Sequence, residues 1–171
     1  VSHYLEIGDS VVLIPKILNL HYITNSGAAF GILSDHRWIF LVISTLAVLA
    51  IVVFLLLSDK VSLLYTIALS MVAGGGIGNM IDRMFNGESV GNGVVIDFID
   101  FCAFPSVWSY IFNLADSFVC VGAGLLVLAF ILDSVRESRK QKAVQLNSLT
   151  NDSLHDLQRE EEDSQNPEEE K

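Results

Sequence analysis

Apolar residues along this chain fall into long runs and short ones. Trp38 to Leu57 reads WIFLVISTLAVLAIVVFLLL, 20 residues without a charge, and a bilayer crossing needs about 20 mainly apolar residues. Leu63 to Ile81 is a second long run, broken by glycines towards its end. Ile111 to Leu132 is a third, with one acidic residue inside. The short runs are rich in β-branched residues: Ser10 to Ile14 and Ile17 to Thr24 on either side of Pro15-Lys16, and Gly93 to Phe101. Such runs predict short strands held above the membrane. The pattern therefore predicts a mainly α protein, a polytopic transmembrane helical bundle with short strands outside the membrane. Residues 1–37 form an extracytoplasmic β segment, 38–132 the transmembrane core with its loop at 82–110, and 133–171 a tail.

Composition supports a membrane location. Of 171 residues 51% are hydrophobic, and the mean hydropathy is +0.50, high for a soluble chain of this size. The net charge of -10 is concentrated at one end: residues 143–171 hold nine Asp/Glu against two Lys/Arg, a net of -7, which leaves -3 for the rest. This tail has no apolar period and is expected to be disordered and cytoplasmic. Arg136, Arg139, Lys140 and Lys142 crowd the exit of the third run, whereas Arg83 is the sole base between Ile81 and Ile111. Positive charge marks the cytoplasmic side, so the carboxyl end and the turn Ser58 to Ser62 are cytoplasmic, and residues 1–37 and 82–110 are outside. An outside amino end needs an upstream span to carry it across, so three spans are expected here and four in the full-length protein. Cys102 and Cys120 have no metal-site spacing and read as small packing residues. The few scattered bases give no nucleic-acid footprint.

An ionisable group inside a span costs about 2.5–3.5 kcal/mol on insertion scales, so each one suggests a function. Asp116 is expected about five residues into the third span, roughly 7 Å below its outer end, with Asn113 on the same face. Asn79 and Asp82 repeat that spacing of three at the outer end of the second span. Gly74 and Gly78 before them form a small-xxx-small pattern, which serves helix packing or makes room for a substrate. Asp97 and Asp100 lie in VVIDFIDF, on opposite faces of a strand, so at most one can meet Asp116. Two carboxylates meeting at a low-dielectric surface cannot both ionise cheaply; one keeps its proton while the other acts as base toward a water, as in aspartic proteases. Metal hydrolysis fits less well, because none of the four histidines lies near a carboxylate at ligand spacing. Plainer readings stand beside this one. Asp82-Arg83 would serve as an interfacial ion pair, and Asp116 as a buried structural hydrogen-bonding group. A transport-type protein would use Asp116 and Asp82 as relay groups, and a non-catalytic assembly protein would use the polar groups to lock helices together.

The strings NSGAAFG at 25–31, GGGIGNMIDR at 74–83, VVIDFIDF at 94–101 and FNLADS at 112–117 together resemble the lipoprotein signal peptidase, or signal peptidase II, family over about residues 1–133. The resemblance implies an intramembrane aspartic endopeptidase of the bacterial inner membrane, with four helices, a small extracytoplasmic β-sheet cradle and an active site at the extracytoplasmic face. Such an enzyme removes signal peptides from diacylglyceryl-cysteine prolipoproteins. It implies that Asp97 and Asp116 form the catalytic dyad, with Asp100 outside it. Asn25, Gly27, Asn79, Asp82, Arg83 and Asn113 would then shape the pocket and hold substrate backbone or lipid head group. Lipid-modified prolipoproteins and membrane lipids are the implied partners, a monomer is expected, and neither a metal nor an organic cofactor is. The departure is at the start: Val1-Ser2-His3 resembles the tail of a family motif of Asp, then Ser or Thr, then Lys, with His3 at the Lys position. An inactive, N-terminally truncated form is therefore the alternative expectation.

Overall fold

The computed structural model describes the backbone of residues 1–26 and 37–165 and the side chains of residues 1–26 and 38–151. Two units are distinguished, Val1–Val127 and Leu128–Lys171. The first holds an antiparallel sheet, two complete helices and the start of a third. Its strands are β1 (Ser10–Ile14), β2 (Leu18–Asn25), β3 (Val95–Phe101) and β4 (Ile111–Phe112), hydrogen-bonded in the order β1-β2-β3-β4. The three expected strands are present, each within two residues of its expected ends. The β1–β2 turn carries Lys16 at φ 63, the left-handed conformation that closes a tight reversal. Between β2 and β3 the register shifts from Leu20↔Ile99 to Ile23↔Asp97. Two β2 residues thus oppose Phe98 alone, and a bulge of this kind re-aims the neighbouring side chains.

Helix α1 (Arg37–Leu57) is long enough, at 1.5 Å per residue, to cross the roughly 30 Å hydrocarbon layer. Helix α2 (Leu63–Phe85) begins at Ser62, whose hydroxyl accepts the Tyr65 N–H at 3.5 Å, and ends where the Asn86 N–H bonds to the Asp82 carbonyl. It runs four residues past the expected Ile81, so Asp82 and Arg83 are helical and do not open the loop. Helix α3 starts at Leu114, three residues later than the apolar run suggests, because Ile111 and Phe112 pair with β3 and Asn113 caps the helix. Asp116 is consequently the third residue of α3, about 3 Å along the axis and not the expected 7 Å.

Helices α2 and α3 approach closely along small residues. A Cβ on Gly75 would meet the Ala115 carbonyl and stand 2.7 Å from Val119 Cγ2, and one on Gly78 would stand 3.0 Å from Ala115 Cβ. The expected pair Gly74 and Gly78 is thus corrected to Gly75 and Gly78, for Gly74 has open space around its Cβ position. Among the described residues of this unit few apolar ones are buried, namely Tyr22, Ala68, Ala73 and Val95, as befits a bundle whose outer surface is apolar.

In the second unit α3 continues to Gln165. The tail expected to be disordered is helical over 133–165. Its sequence has neither Gly nor Pro between Leu125 and Asn166 and is rich in Arg, Lys, Glu, Gln and Leu, all good helix formers. Among the described residues, three helices are long and apolar enough to cross a membrane, at Trp38–Leu57, Leu63–Phe85 and within Leu114–Asn151.

Candidate active site

The site forms where the end of α2, the start of α3 and strand β3 meet. At the start of α3, the Asn113 side-chain oxygen accepts the Asp116 N–H at 2.9 Å, and Asp116 Oδ2 accepts the Asn113 N–H at 3.1 Å. This is a reciprocal capping box. Asn113 is its first member and Asp116 the third helical residue, where the helix dipole favours negative charge. The plainer reading of Asp116 as a structural hydrogen-bonding group therefore describes part of what it does.

The same asparagine reaches the sheet. Asn113 Nδ2 donates to Asp97 Oδ1 at 2.8 Å and to Asn79 Oδ1 at 3.0 Å, and Asn79 Nδ2 donates to Asp116 Oδ1 at 2.8 Å. Asn25, the last residue of β2, donates from Nδ2 to Asp97 Oδ2 at 3.0 Å. Each carboxylate thus accepts two N–H donors, and the amides of Asn113 and Asn79 link them. Asp97 is 2% exposed and Asn113 5%; no buried side-chain nitrogen or oxygen among the described residues lacks a partner. Burial pushes the Asp97 carboxyl above its ordinary range. The Asn25 bond opposes that rise, the nearby Asp116 charge adds to it, and Asn113 and Arg83 oppose it. Desolvation is the largest of these effects and sets the direction of the shift.

The other expected residues surround this pair. Asp82 Oδ2 accepts the Ile96 N–H of β3 at 3.1 Å, fastening sheet to helix. Arg83 Nη1 donates to the Asn79 carbonyl at 3.2 Å, and its guanidinium lies 5.6 Å from the centre of the Phe40 ring, a cation–π distance. Asp100 accepts from Asn19 Nδ2 at 3.1 Å, a different partner set from that of Asp97, as the strand alternation requires. Gly27 lies outside the described residues. A recess of about 340 Å³ opens at the bridging amides Asn79 and Asn113, lined also by Ser2, Gly78, Asp82 and Phe98 and by neither Asp97 nor Asp116. Sequence reasoning missed three features: the Phe40 contact, the Asn19 partner of Asp100, and the bridging role of Asn113. The N-x-x-D spacing at 113–116 was a legible signal for the cap, whereas the contact with Asp97 spans elements and has no local signature. Among the described residues, no three His, Cys, Asp or Glu side chains cluster as a metal site would.

A family model described as signal peptidase (SPase) II matches residues 1–132. The chain is 40% identical over 142 residues to a lipoprotein signal peptidase of Halalkalibacterium halodurans, covering 83% of this chain and 86% of that protein. It is 41% identical over 132 residues to one of Brevibacillus brevis, covering 76% and 81%. A bacterial membrane enzyme solved by the in meso method at 2.3 Å resolution superimposes with a TM-score of 0.69 at 35% identity, covering 78% of this chain and 77% of that one.

Proposed function

Since this chain belongs to the signal peptidase II family, and so is a multi-pass membrane protease, we propose that it removes signal peptides from diacylglyceryl-cysteine prolipoproteins by aspartic catalysis, with Asp97 and Asp116 as the pair. The observation that carries this reading is the shared amide: Asn113 donates to Asp97 while closing the capping box with Asp116, so two carboxylates converge where spans and sheet meet. Asp97, buried and shifted toward its protonated form, is the acid. Asp116, at the start of α3, is the base.

As a water attacks the scissile carbonyl, Asp116 takes its proton and Asp97 gives one to the carbonyl oxygen, forming a tetrahedral diol. On collapse, Asp116 returns its proton to the leaving nitrogen as the C–N bond breaks, and Asp97 recovers the proton from the diol oxygen. Asn25, Asn79 and Asn113 hold the two carboxyls in register. Asp82, the recess it borders and the neighbouring Arg83 are suited to the substrate backbone or its lipid head group. The basic residues at 136–142 support a cytoplasmic carboxyl end and, with it, a site at the extracytoplasmic face of the bacterial inner membrane. A transport-type reading is less favoured, because Asp82, Asp97 and Asp116 gather at one end of the spans.

The test is cleavage of a diacylglyceryl-modified prolipoprotein by the protein in lipid, followed on a gel. Asp97→Asn and Asp116→Asn are each expected to lower turnover by about 10²–10⁴-fold while membrane insertion is kept, and Asp100→Asn to retain turnover. Retained cleavage in either dyad variant would overturn the assignment.

A further inference from the structure

The end of the sheet farthest from the site has a composition that water does not favour. Strands β1, β2 and β3 bring two connections together there, the turn at residues 15–17 and the loop at residues 102–110, joined by the Cys102 N–H to Ile17 carbonyl bond at 2.9 Å. The loop reads CAFPSVWSY and has no charged side chain; the strand and turn from Ser10 to Ile17 have one, Lys16. Around these connections Ile14 is 47% exposed, Ile17 44%, Phe104 63%, Val107 84%, Trp108 42% and Tyr110 48%. Every residue of β1 is exposed, so its apolar side chains are uncovered on both faces of an edge strand. In water such an edge invites aggregation.

The indole of Trp108 is held in place by its own loop. Its Nε1–H donates to the Tyr110 carbonyl at 2.8 Å, and its ring meets those of Tyr110 and Phe112 edge-on at 6.0 and 5.8 Å. The polar edge is satisfied internally, which leaves apolar ring surface outward. The covering medium follows from connectivity. Strand β4 is separated from membrane-spanning α3 by Asn113 alone, so the sheet is tied to the bilayer boundary on the side of the site. The rim lies about 13 Å along β3 from Asp97. Exposed Trp and Tyr with a neighbouring Lys are the residues that settle at a lipid–water interface, rings at the head-group level and the ammonium toward phosphate.

We infer that this sheet end is a membrane anchor, with Phe104, Val107 and Trp108 seated in the head-group and upper acyl region of the phospholipid bilayer and Lys16 at the phosphates. It fixes the sheet at a second point, about 13 Å along β3 from Asp97, and so keeps the Asp97 strand level with Asp116. The inference rests on the membrane spans and stands whether or not the dyad assignment holds.

The test uses the two tryptophans. Trp38→Phe leaves Trp108 as the single indole, and the protein is reconstituted in phosphatidylcholine vesicles with or without acyl chains brominated near the carbonyl end. Emission from Trp108 is expected to fall by about twofold in the brominated lipid, and Phe104→Ser with Val107→Ser to reduce that quenching. If Trp38→Phe does not assemble, the difference between the unaltered protein and Trp108→Phe gives the same quantity. Emission characteristic of water with no quenching would overturn the anchor. Quenching that appears only after a lipopeptide substrate is added would overturn it as well, assigning the surface to substrate.

Discussion

Helices α1 and α2 are close in length, 21 and 23 residues, yet they do different work. Between Trp38 and Leu57 no residue is buried, and Thr45 Oγ1 donates to the Leu41 carbonyl of the same helix at 2.6 Å. Helix α2 gives up apolar character twice, first to the glycines at 74–76 and 78 and then to Asn79, Asp82 and Arg83 in its last two turns. The first concession allows the second. Asn79 reaches Asp116 only because α2 and α3 touch at backbone distance through Gly75 and Gly78. The apolar helix is thus specified by its surroundings, and the interrupted one by its neighbours.

The contrast can be broken most severely at two adjacent glycines. Gly75→Ala would drive a methyl against the Ala115 carbonyl and Val119 Cγ2, so α2 and α3 must separate; overpacking of this kind costs about 1–3 kcal/mol. Separation also pulls Asn79 from Asp116, and proteolytic activity is expected to fall with thermal stability. Gly74→Ala meets nothing within 4 Å, and the helix propensity of Ala over Gly should stabilise by up to about 1 kcal/mol. Thermal unfolding in detergent should move in opposite directions for the two variants, and the cleavage rate should fall for Gly75→Ala alone. Equal behaviour would mean that α2 does not pack on α3 through Gly75.

A smaller effect separates polar residues on the two spans. Asn79→Ala removes the donor to Asp116 and the acceptor for Asn113. Leaving such groups unsatisfied costs about 1–3 kcal/mol, or roughly one to two decades in kcat if the loss falls on the reacting state. Thr45→Ala on α1 gives up a bond within its own helix and should leave kcat within about twofold, since back-bonding to the preceding turn adds little to a helix.

Much of this was legible in the sequence because the bilayer is an unforgiving solvent. An uncharged run such as 38–57 has few alternatives, and a carboxylate beside a span must have a reason. The strands of the cradle were readable from β-branched runs and from Pro15-Lys16. What escaped was governed by tertiary context. Ile111 and Phe112 have a composition that suits a helix as well as a strand, and only pairing with β3 decides. The helical 133–165 segment escaped because the charge balance was weighed and helix propensity was not. Choosing Asp97 over Asp100 required the family resemblance. In the structure the two differ in their partners: Asn25 and Asn113 meet Asp97, and Asn19 meets Asp100.

The finest distinction lies between the donors that α2 and the sheet supply: Asn79 serves Asp116, Asn25 serves Asp97. Ionised Asp97 is disfavoured by burial and favoured by the Asn25 bond, so Asn25→Ala should raise its pKa further. With Asp97 as the acid, the alkaline limb of the pH–kcat profile is set by its ionisation and should move to higher pH in that variant. Asn19→Ala, on the Asp100 side, should leave the limb in place. Stability gives an independent reading of the same carboxyl. A raised folded-state pKa contributes stability that is fully present below the unfolded value of about 3.9 and is lost as pH rises through the folded value. Ionisation of Asp97 therefore opposes folding at neutral pH. Asp97→Asn, inactive as it should be, is expected to unfold at a higher temperature than the unaltered protein near neutrality. The difference should close on acidification, when the carboxyl of the unaltered protein is also uncharged. A gap of the same size at both pH values would mean that the neutral amide helps by packing or hydrogen bonding, and that burial does not hold Asp97 toward its protonated form.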